Sequence, residues 1–245
     1  MFVSFVFQTI LFGKVGGLSV KLVGKPLLFF YNIPVLSFLL LRGKAACCQA
    51  RISFQYPAVE LLTALLFTIG YLKFPFLSLG SQAESSLHLN NLLRFCHFSF
   101  FSSVLIICSF IDLKYMIIPD FLSLGLVALS PIVVFLHPEL DLKSSLIGVV
   151  SGFAVIYIIA WSYYFLRRKE GIGFGDAKLL GAIGGWLGYQ SVLPTLFLGS
   201  ILGSVVGIIF LLISKRFSMQ AEIPFGPFLA LGAIVYLFTP SVFFI

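Results

Sequence analysis

The sequence predicts an all-α integral membrane protein, a polytopic bundle of about eight transmembrane helices with a cytoplasmic loop region after the first. Of the 245 residues, 60% are hydrophobic and only 10% are charged, whereas roughly a quarter of the residues in a soluble domain are charged. The mean hydropathy is +1.09. A transmembrane β-barrel would show segments of about ten residues that alternate apolar and polar positions. The apolar runs here are continuous, which favours helices.

Eight apolar runs mark the predicted spans, since a helical span needs about 20 apolar residues. The runs are 1–20, 57–76, 93–111, 117–136, 145–166, 177–190, 192–214 and 225–244. The first run is the weakest, because Lys14 and a pair of glycines interrupt it. The sixth run is short and rich in glycine (GAIGGWLG), a composition that suits close helix packing in a membrane.

Basic residues cluster in the connections that we predict to be cytoplasmic. The long connection 21–56 carries five basic residues and no acid, and basic turns follow at 167–169 and 215–216. The connections around Glu84 and Glu139 are acidic or neutral, so the positive-inside rule places them outside. The net charge of +7 could indicate nucleic acid, but no basic face is large enough to neutralise several phosphates. We therefore expect a lipid bilayer and no nucleic acid as a partner.

Two acids fall at one predicted depth, Asp112 at the cytoplasmic end of the third span and Asp176 at the cytoplasmic start of the sixth. Each acid alone could be a helix-end residue in contact with the cytoplasm. Two carboxyls brought close together share one proton, because both cannot ionise at short range. The ionised carboxyl can then activate water, and the protonated one can donate to a carbonyl. The pair therefore predicts an aspartic peptidase.

The second acid ends the glycine-rich stretch GIGFGD, residues 171–176. We interpret Gly173 and Gly175 as positions where the backbone adopts conformations closed to other residues, or approaches a partner closely. They could also leave an open edge for a substrate peptide. Asp176 then begins a helix, where the helix dipole favours an acid. A phosphate-binding loop would need a preceding strand and a Lys-Ser/Thr pair, which are missing.

Three other charged residues are weaker candidates. Asp120 follows Pro119, which is typical of a helix start rather than of catalysis. Glu60 lies one turn past Pro57 and is either an N-terminal helix acid or part of a substrate site. Lys178 lies on a different helix face from Asp176 and is interpreted as an interfacial cation that could position substrate.

A second function class stays open at this point: a carrier or channel whose paired acids bind a cation or relay protons. No inverted repeat or pair of broken helices is visible in the sequence. The three histidines lack the spacing of metal ligands, so we expect no metal site.

Five stretches together resemble the bacterial type IV prepilin peptidases, membrane aspartic proteases with a G-x-G-D signature. They are YNIPVLSFLLLRGK (31–44), ISFQYPAVELLTALLF (52–67), IDLKYMIIPDFLSL (111–124), KEGIGFGDAKLLGAIGGWLG (169–188) and IPFGPFLALG (223–232). They occur in the family's order over nearly the whole chain.

The resemblance implies that the two catalytic aspartates are Asp112 and Asp176. It further implies a multi-pass enzyme of the bacterial inner membrane, with its active site facing the cytoplasm. Such enzymes remove the leader from prepilins and from pilin-like proteins of type II secretion. Many members then methylate the new amino terminus with S-adenosylmethionine, and the sequence leaves open whether this chain does so. Proteolysis itself needs no cofactor.

The chain departs from the family in its first cytoplasmic loop, where members often carry two C-x-x-C pairs that suit structural zinc. Here Ala45 occupies one ligand position and Cys48 alone matches, so zinc is not expected. We therefore divide the chain into 1–56, an amino-terminal helix and basic loop with a degenerate zinc-type region, and 57–245, the membrane-embedded peptidase domain.

Overall fold

The computed structural model describes residues 38–44, 53–78, 86–136, 140–168, 173–213 and 223–239. The main α-helices in these ranges are α1 (Gln55–Lys73), α2 (Leu89–Tyr115), α3 (Asp120–Leu136), α4 (Leu142–Arg167), α5 (Phe174–Leu187), α6 (Val192–Ile213) and α7 (Gly226–Phe238). Two short antiparallel strands, β1 (Leu77–Ser78) and β2 (Ser86–Leu87), pair Leu77 with Leu87. The predicted all-α bundle is confirmed, because helices form nearly all of the described secondary structure.

The helices follow the predicted apolar runs from the second run onward. The largest differences at the helix starts are three to four residues, at α2, α3, α4 and α5. The first run, 1–20, lies outside the described residues, so the total of eight spans stays a prediction. The long cytoplasmic connection is described only at residues 38–44 and 53–54.

Three stretches in the described part of the chain are long and apolar enough to cross a membrane, namely Leu89–Tyr115, Leu142–Leu166 and Tyr189–Ile213. At about 1.5 Å per residue, 25 residues extend beyond the ~30 Å hydrocarbon core. The helices α3, α5 and α7 have 17, 14 and 13 residues and reach only about 20–26 Å, less than the hydrocarbon core. The spans predicted at 117–136, 177–190 and 225–244 therefore stay predictions. The protein is therefore a multi-pass membrane protein with a short helix in its interior.

The chain divides into two compact units, Met1–Phe74 and Pro75–Ile245. In the first unit, α1 ends at Lys73, and the N–H of Phe74 donates to the carbonyl of Gly70. The second unit contains α2 to α7. The domain boundary predicted after residue 56 stays a prediction.

The short helix α5 forms the centre of the second unit. Its residues Leu179, Leu180, Ala182 and Ile183 have no exposed surface. Trp186 donates its indole N–H to the carbonyl of Leu126 in α3 at 2.7 Å. An apolar helix that is buried on every side belongs in a core, so α5 supplies the fixed element on which the site is built.

Glycines allow α4 and α5 to cross with their backbones in contact. A Cβ added at Gly148 of α4 would overlap the carbonyl of Gly184 in α5, and one added at Gly184 would overlap the carbonyl of Gly148. The hydroxyl of Ser145 donates to the carbonyl of Gly185 at 2.7 Å across the same interface. The close packing predicted for GAIGGWLG is confirmed, and small residues at such a crossing are typical of membrane helices.

Candidate active site

Asp112 lies in the last turn of α2, with only 5% of its surface exposed. The helix ends because Met116 adopts a left-handed conformation (φ 55°, ψ 35°), and its N–H donates to the carbonyl of Asp112 at 2.8 Å. Pro119 follows three residues later and disfavours helical backbone at the residue before it. The chain therefore turns immediately after Asp112, which leaves this carboxyl at one end of the bundle.

The carboxylate of Asp112 contacts the start of α7. Its Oδ2 accepts a hydrogen bond from the backbone N–H of Gly226 at 2.9 Å. A buried carboxylate needs such a donor, because burying an uncompensated charge is costly. The contact joins residues 114 positions apart and fixes the side chain against α7.

Asp176 lies in the first turn of α5, after the N-cap residue Gly173, and precedes the apolar run 177–190. Its N–H donates to the carbonyl of Gly173 at 3.2 Å. Burial and, second, the negative charge of Asp112 raise the pKa of Asp176 to about 7. Asp112 contacts Gly226 at the start of α7, and Asp176 follows Gly175, which packs against the same residue, Ile118, as Gly226 does. The two acids that the sequence selected therefore lie at the same end of the bundle.

The interpretation of the glycines in GIGFGD is wrong in one respect. Gly173 has φ −71° and ψ 140°, an extended conformation open to any residue, and Gly175 is helical. Neither uses the conformational freedom of glycine. The second part of the interpretation, close approach, holds for Gly175, because an added Cβ would lie 3.1 Å from the Cβ of Ile118.

Ile118 packs between the start of α5, which contains Asp176, and the start of α7, which contacts Asp112. Its side chain is 5% exposed. It contacts Gly175, next to Asp176, and its Cδ1 would lie 3.2 Å from a Cβ added at Gly226. The starts of α5 and α7 therefore pack against the same isoleucine, which sets the space available to the pair.

Lys178 and Asp120 form an ion pair at the same end of the bundle. The Lys178 Nζ lies 2.6 Å from Asp120 Oδ1, and the side chains are 23% and 64% exposed. The pair joins the second turn of α5 to the first turn of α3, which explains the acid at the start of α3. A role of Lys178 or of Gly173 toward substrate stays a prediction.

Glu60 lies in α1, in the first compact unit, and its side chain is partly exposed. Its role as a helix acid or as part of a substrate site stays a prediction.

In the ranges that the structure describes, no group of three or more His, Cys, Asp and Glu side chains could hold a metal ion. Ala45, Cys47 and Cys48 lie outside these ranges, so the expectation that the loop lacks zinc stays a prediction. Of the other cysteines, Cys96 is exposed and Cys108 is buried, and both are free thiols.

Sequence reasoning missed two residues of the site, Ile118 and Gly226. Gly226 follows a short polar connection and precedes Pro227 at the start of α7, which is a recognisable helix start. Nothing in the sequence indicates that this start faces Asp112. Ile118 reads as an ordinary apolar residue before a proline, and its place between two helices depends on tertiary packing.

Comparison with known proteins links this geometry to a family. The Type IV leader peptidase family matches residues 99–208, a range that contains both acids, and the Bacterial Peptidase A24 N-terminal domain matches residues 20–74. No solved structure matches the chain.

Curated relatives match over most of the chain. The Prepilin leader peptidase/N-methyltransferase of Aeromonas salmonicida is 37% identical over 218 residues, which are 89% of this chain and 69% of the relative. The enzyme of the same name from Aeromonas hydrophila is 38% identical over 218 residues, 89% of this chain and 70% of the relative. The Type 4 prepilin-like proteins leader peptide-processing enzyme of Escherichia coli is 36% identical over 213 residues, 86% of this chain and 71% of the relative.

These matches support the hypothesis of a peptidase and give no support to that of a carrier or channel. The two acids at one end of a helical membrane bundle lie within the matched range. The chain belongs to the Type IV leader peptidase family.

Proposed function

We propose that this protein is a membrane aspartic endopeptidase that removes leader peptides from type IV prepilins and pilin-like secretion proteins, with Asp112 and Asp176 as its catalytic pair. The observation that carries the proposal is geometric: Asp112 contacts the start of α7 at Gly226, Asp176 follows Gly175 at the start of α5, and both glycines pack against Ile118. The charge of Asp112 also helps to raise the pKa of Asp176. The relatives named as prepilin leader peptidases support the choice of substrate.

The pair can hydrolyse an amide by general acid–base catalysis. The ionised carboxyl takes a proton from water, whose oxygen bonds to the scissile carbonyl carbon, while the protonated carboxyl gives its proton to the carbonyl oxygen. The tetrahedral intermediate then collapses, the C–N bond breaks, and the leaving amine receives a proton from the pair. The products are a carboxylic acid on the leader and a free amino terminus on the mature protein.

The active end of the bundle is proposed to face the cytoplasm in a bacterial inner membrane. It contains the end of α2 and the starts of α3, α5 and α7. In the sequence, the end of α4 and the connection from it to the start of α5 carry three consecutive basic residues, 167–169. By the positive-inside rule such a connection stays in the cytoplasm. The leader junction of a substrate would therefore be cleaved at the inner face.

Methylation of the new amino terminus is a second activity that the relatives' names suggest for this chain. S-adenosylmethionine would be the methyl donor. The groove formed by Leu193, Pro194, Leu196, Phe197 and Ser200 offers no charged group to this zwitterionic, sulfonium-bearing molecule and does not suit it. We therefore do not place S-adenosylmethionine in this groove.

Co-expression with a candidate prepilin tests the peptidase. The parent is expected to shorten the prepilin on a gel, and the mass of the amino terminus should identify the new end. A methyl group would add about 14 Da to that mass. Asp112→Asn and Asp176→Asn should insert into the membrane and leave the prepilin uncut, whereas the control Asp120→Asn should cleave it. Full cleavage by either dyad variant would refute the proposal.

A further inference from the structure

The two carboxyls of the proposed pair have unequal surroundings. Asp112 accepts an N–H from Gly226, while within the described residues no hydrogen bond to the side chain of Asp176 is found. A hydrogen bond to the charged form of a carboxyl stabilises that form. The structure therefore distinguishes the two acids, although their sequence motifs do not.

The start of α7 has no capping side chain of its own, and an anion from another helix caps it. The N-cap residue Phe225 makes no side-chain capping bond. Of the first amides, that of Gly226 donates to Asp112, residue 227 is a proline without an N–H, and that of Phe228 donates to the carbonyl of Phe225. The positive end of the helix dipole favours negative charge at the same place. Asp112 thus caps α7 in the manner of a capping aspartate, which acts as an anion.

We propose that the backbone N–H of Gly226 is a positioning group that makes Asp112 the ionised base of the pair and leaves the shared proton on Asp176. The proposal rests on the peptidase function proposed above. Asp112 then takes the proton from water as the oxygen attacks, and Asp176 gives its proton to the carbonyl oxygen. Proton and charge balance, because the pair still holds one proton and one negative charge when the C–N bond has broken and the amine has been protonated.

Only glycine leaves room for this contact. A Cβ at position 226 would lie 2.8 Å from Asp112 Oδ2 and 3.2 Å from the Cδ1 of Ile118. Both groups are buried, so neither can move aside freely. A side chain at Gly226 would therefore push the carboxylate away from its donor.

Among the residues that the structure describes, few ionisable groups surround this carboxylate. Asp176 at the start of α5 responds to the charge of Asp112, which helps to raise its pKa, and the buried thiol of Cys108 lies one turn earlier on α2. On the remaining neighbours, Asp120 of α3 pairs with Lys178 of α5, and α7 contains no charged side chain. A change in the pH profile on altering Gly226 can therefore be assigned to the pair.

The test is the pH dependence of kcat/KM for cleavage of a purified prepilin by the full chain in detergent. In Gly226→Ala, the acid limb of the profile should move up by about one pH unit, which is a tenfold change in the ionisation constant, and kcat should fall. The matched control is Gly125→Ala, because a Cβ at that position meets nothing within 4 Å. This control should keep both limbs in place.

A second substitution removes the donor without adding any atom to the side chain. Replacing Gly226 by glycolic acid, through nonsense suppression, turns its amide into an ester. The acid limb should again move up, now without steric displacement. This variant also keeps the test available if Gly226→Ala does not fold.

Suppose that the parent is active and that both aspartate-to-asparagine variants are inactive. If the acid limb of the ester variant then stays where it is in the parent, the proposed role of Gly226 is wrong, while the catalytic pair itself stands. A lower rate with unmoved limbs also overturns the role of Gly226, since that result indicates a purely structural role. If the parent cleaves no prepilin, or Asp112→Asn cleaves normally, the proposed function itself has failed.

Discussion

The replacement of Asp176 by asparagine should stabilise the protein in a pH-dependent way. Burial and the charge of Asp112 raise the pKa of Asp176 from 3.8 to about 7. A carboxyl whose folded pKa lies above its unfolded pKa favours the fold when protonated, so the parent loses stability as the pH rises from about 4 to about 7. Because asparagine cannot ionise, the unfolding free energy of the variant should not fall over this pH range.

The expected gain in unfolding free energy follows from the size of the pKa shift of Asp176. Roughly three pKa units at 1.36 kcal/mol each give an upper limit of about 4 kcal/mol. Asp176 is partly exposed, and solvent screening reduces this value, so we expect a gain of about 2 kcal/mol at pH 8. Near pH 4.5 most of the parent's Asp176 is already protonated, and the gain should be below about 1 kcal/mol.

The assay is chemical unfolding in mild detergent at both pH values, followed by tryptophan fluorescence, since Trp186 is buried and stacks on Phe101. The control is Asp141→Asn at the start of α4, whose side chain is exposed and makes no capping bond. It should show no pH-dependent gain. In an Asp112→Asn background the gain from Asp176→Asn should shrink, because one of its two causes is gone. An equal gain at both pH values, or a loss at pH 8, would refute this reasoning.

Three further variants test the supports of the pair. Ile118→Ala should cost about 2–4 kcal/mol of unfolding free energy and lower kcat about 100-fold through misplacement of the acids. The control is Ile117→Ala, at its exposed neighbour. Equal losses of stability and of kcat in the two variants would contradict the role of Ile118. Lys178→Met breaks the exposed ion pair with Asp120 and should cost at most about 1 kcal/mol, with cleavage rates within about tenfold of the parent; a complete loss of cleavage would indicate a direct role. Gly148→Val forces α4 away from the backbone of α5 and should cost about 3 kcal/mol or more, so parent-like resistance to unfolding would contradict the close crossing.

The sequence predicted the apolar helices from the second run onward and selected the two acids because each has a local signal. Long apolar runs identify helices that lie in a bilayer, and an acid at the end of such a run is unusual enough to stand out. The glycines of GAIGGWLG predicted a close crossing, which Gly148 and Gly184 form.

The remaining features depend on contacts between distant parts of the chain. The N–H of Gly226 reaches Asp112 across 114 positions, and Lys178 reaches Asp120 across 58. The hydrophobic periodicity of a sequence does not indicate which distant residues form such pairs. The interpretation of Gly173 as a residue in a conformation closed to other residues was wrong, because its backbone is extended. A glycine motif alone does not reveal whether its backbone is unusual or whether a neighbour lies close to it.

The most direct test of the central claim compares single and double variants of the pair in one cleavage assay. Purified parent, Asp112→Asn, Asp176→Asn and the double variant would be reconstituted in liposomes with the same prepilin, and the initial rates measured. Residues that act as a unit are strongly non-additive. We therefore predict that each single variant loses at least about 1,000-fold in rate and that the double variant is no slower than either. A single variant within tenfold of the parent, or losses that multiply in the double variant, would contradict joint catalysis by the two carboxyls.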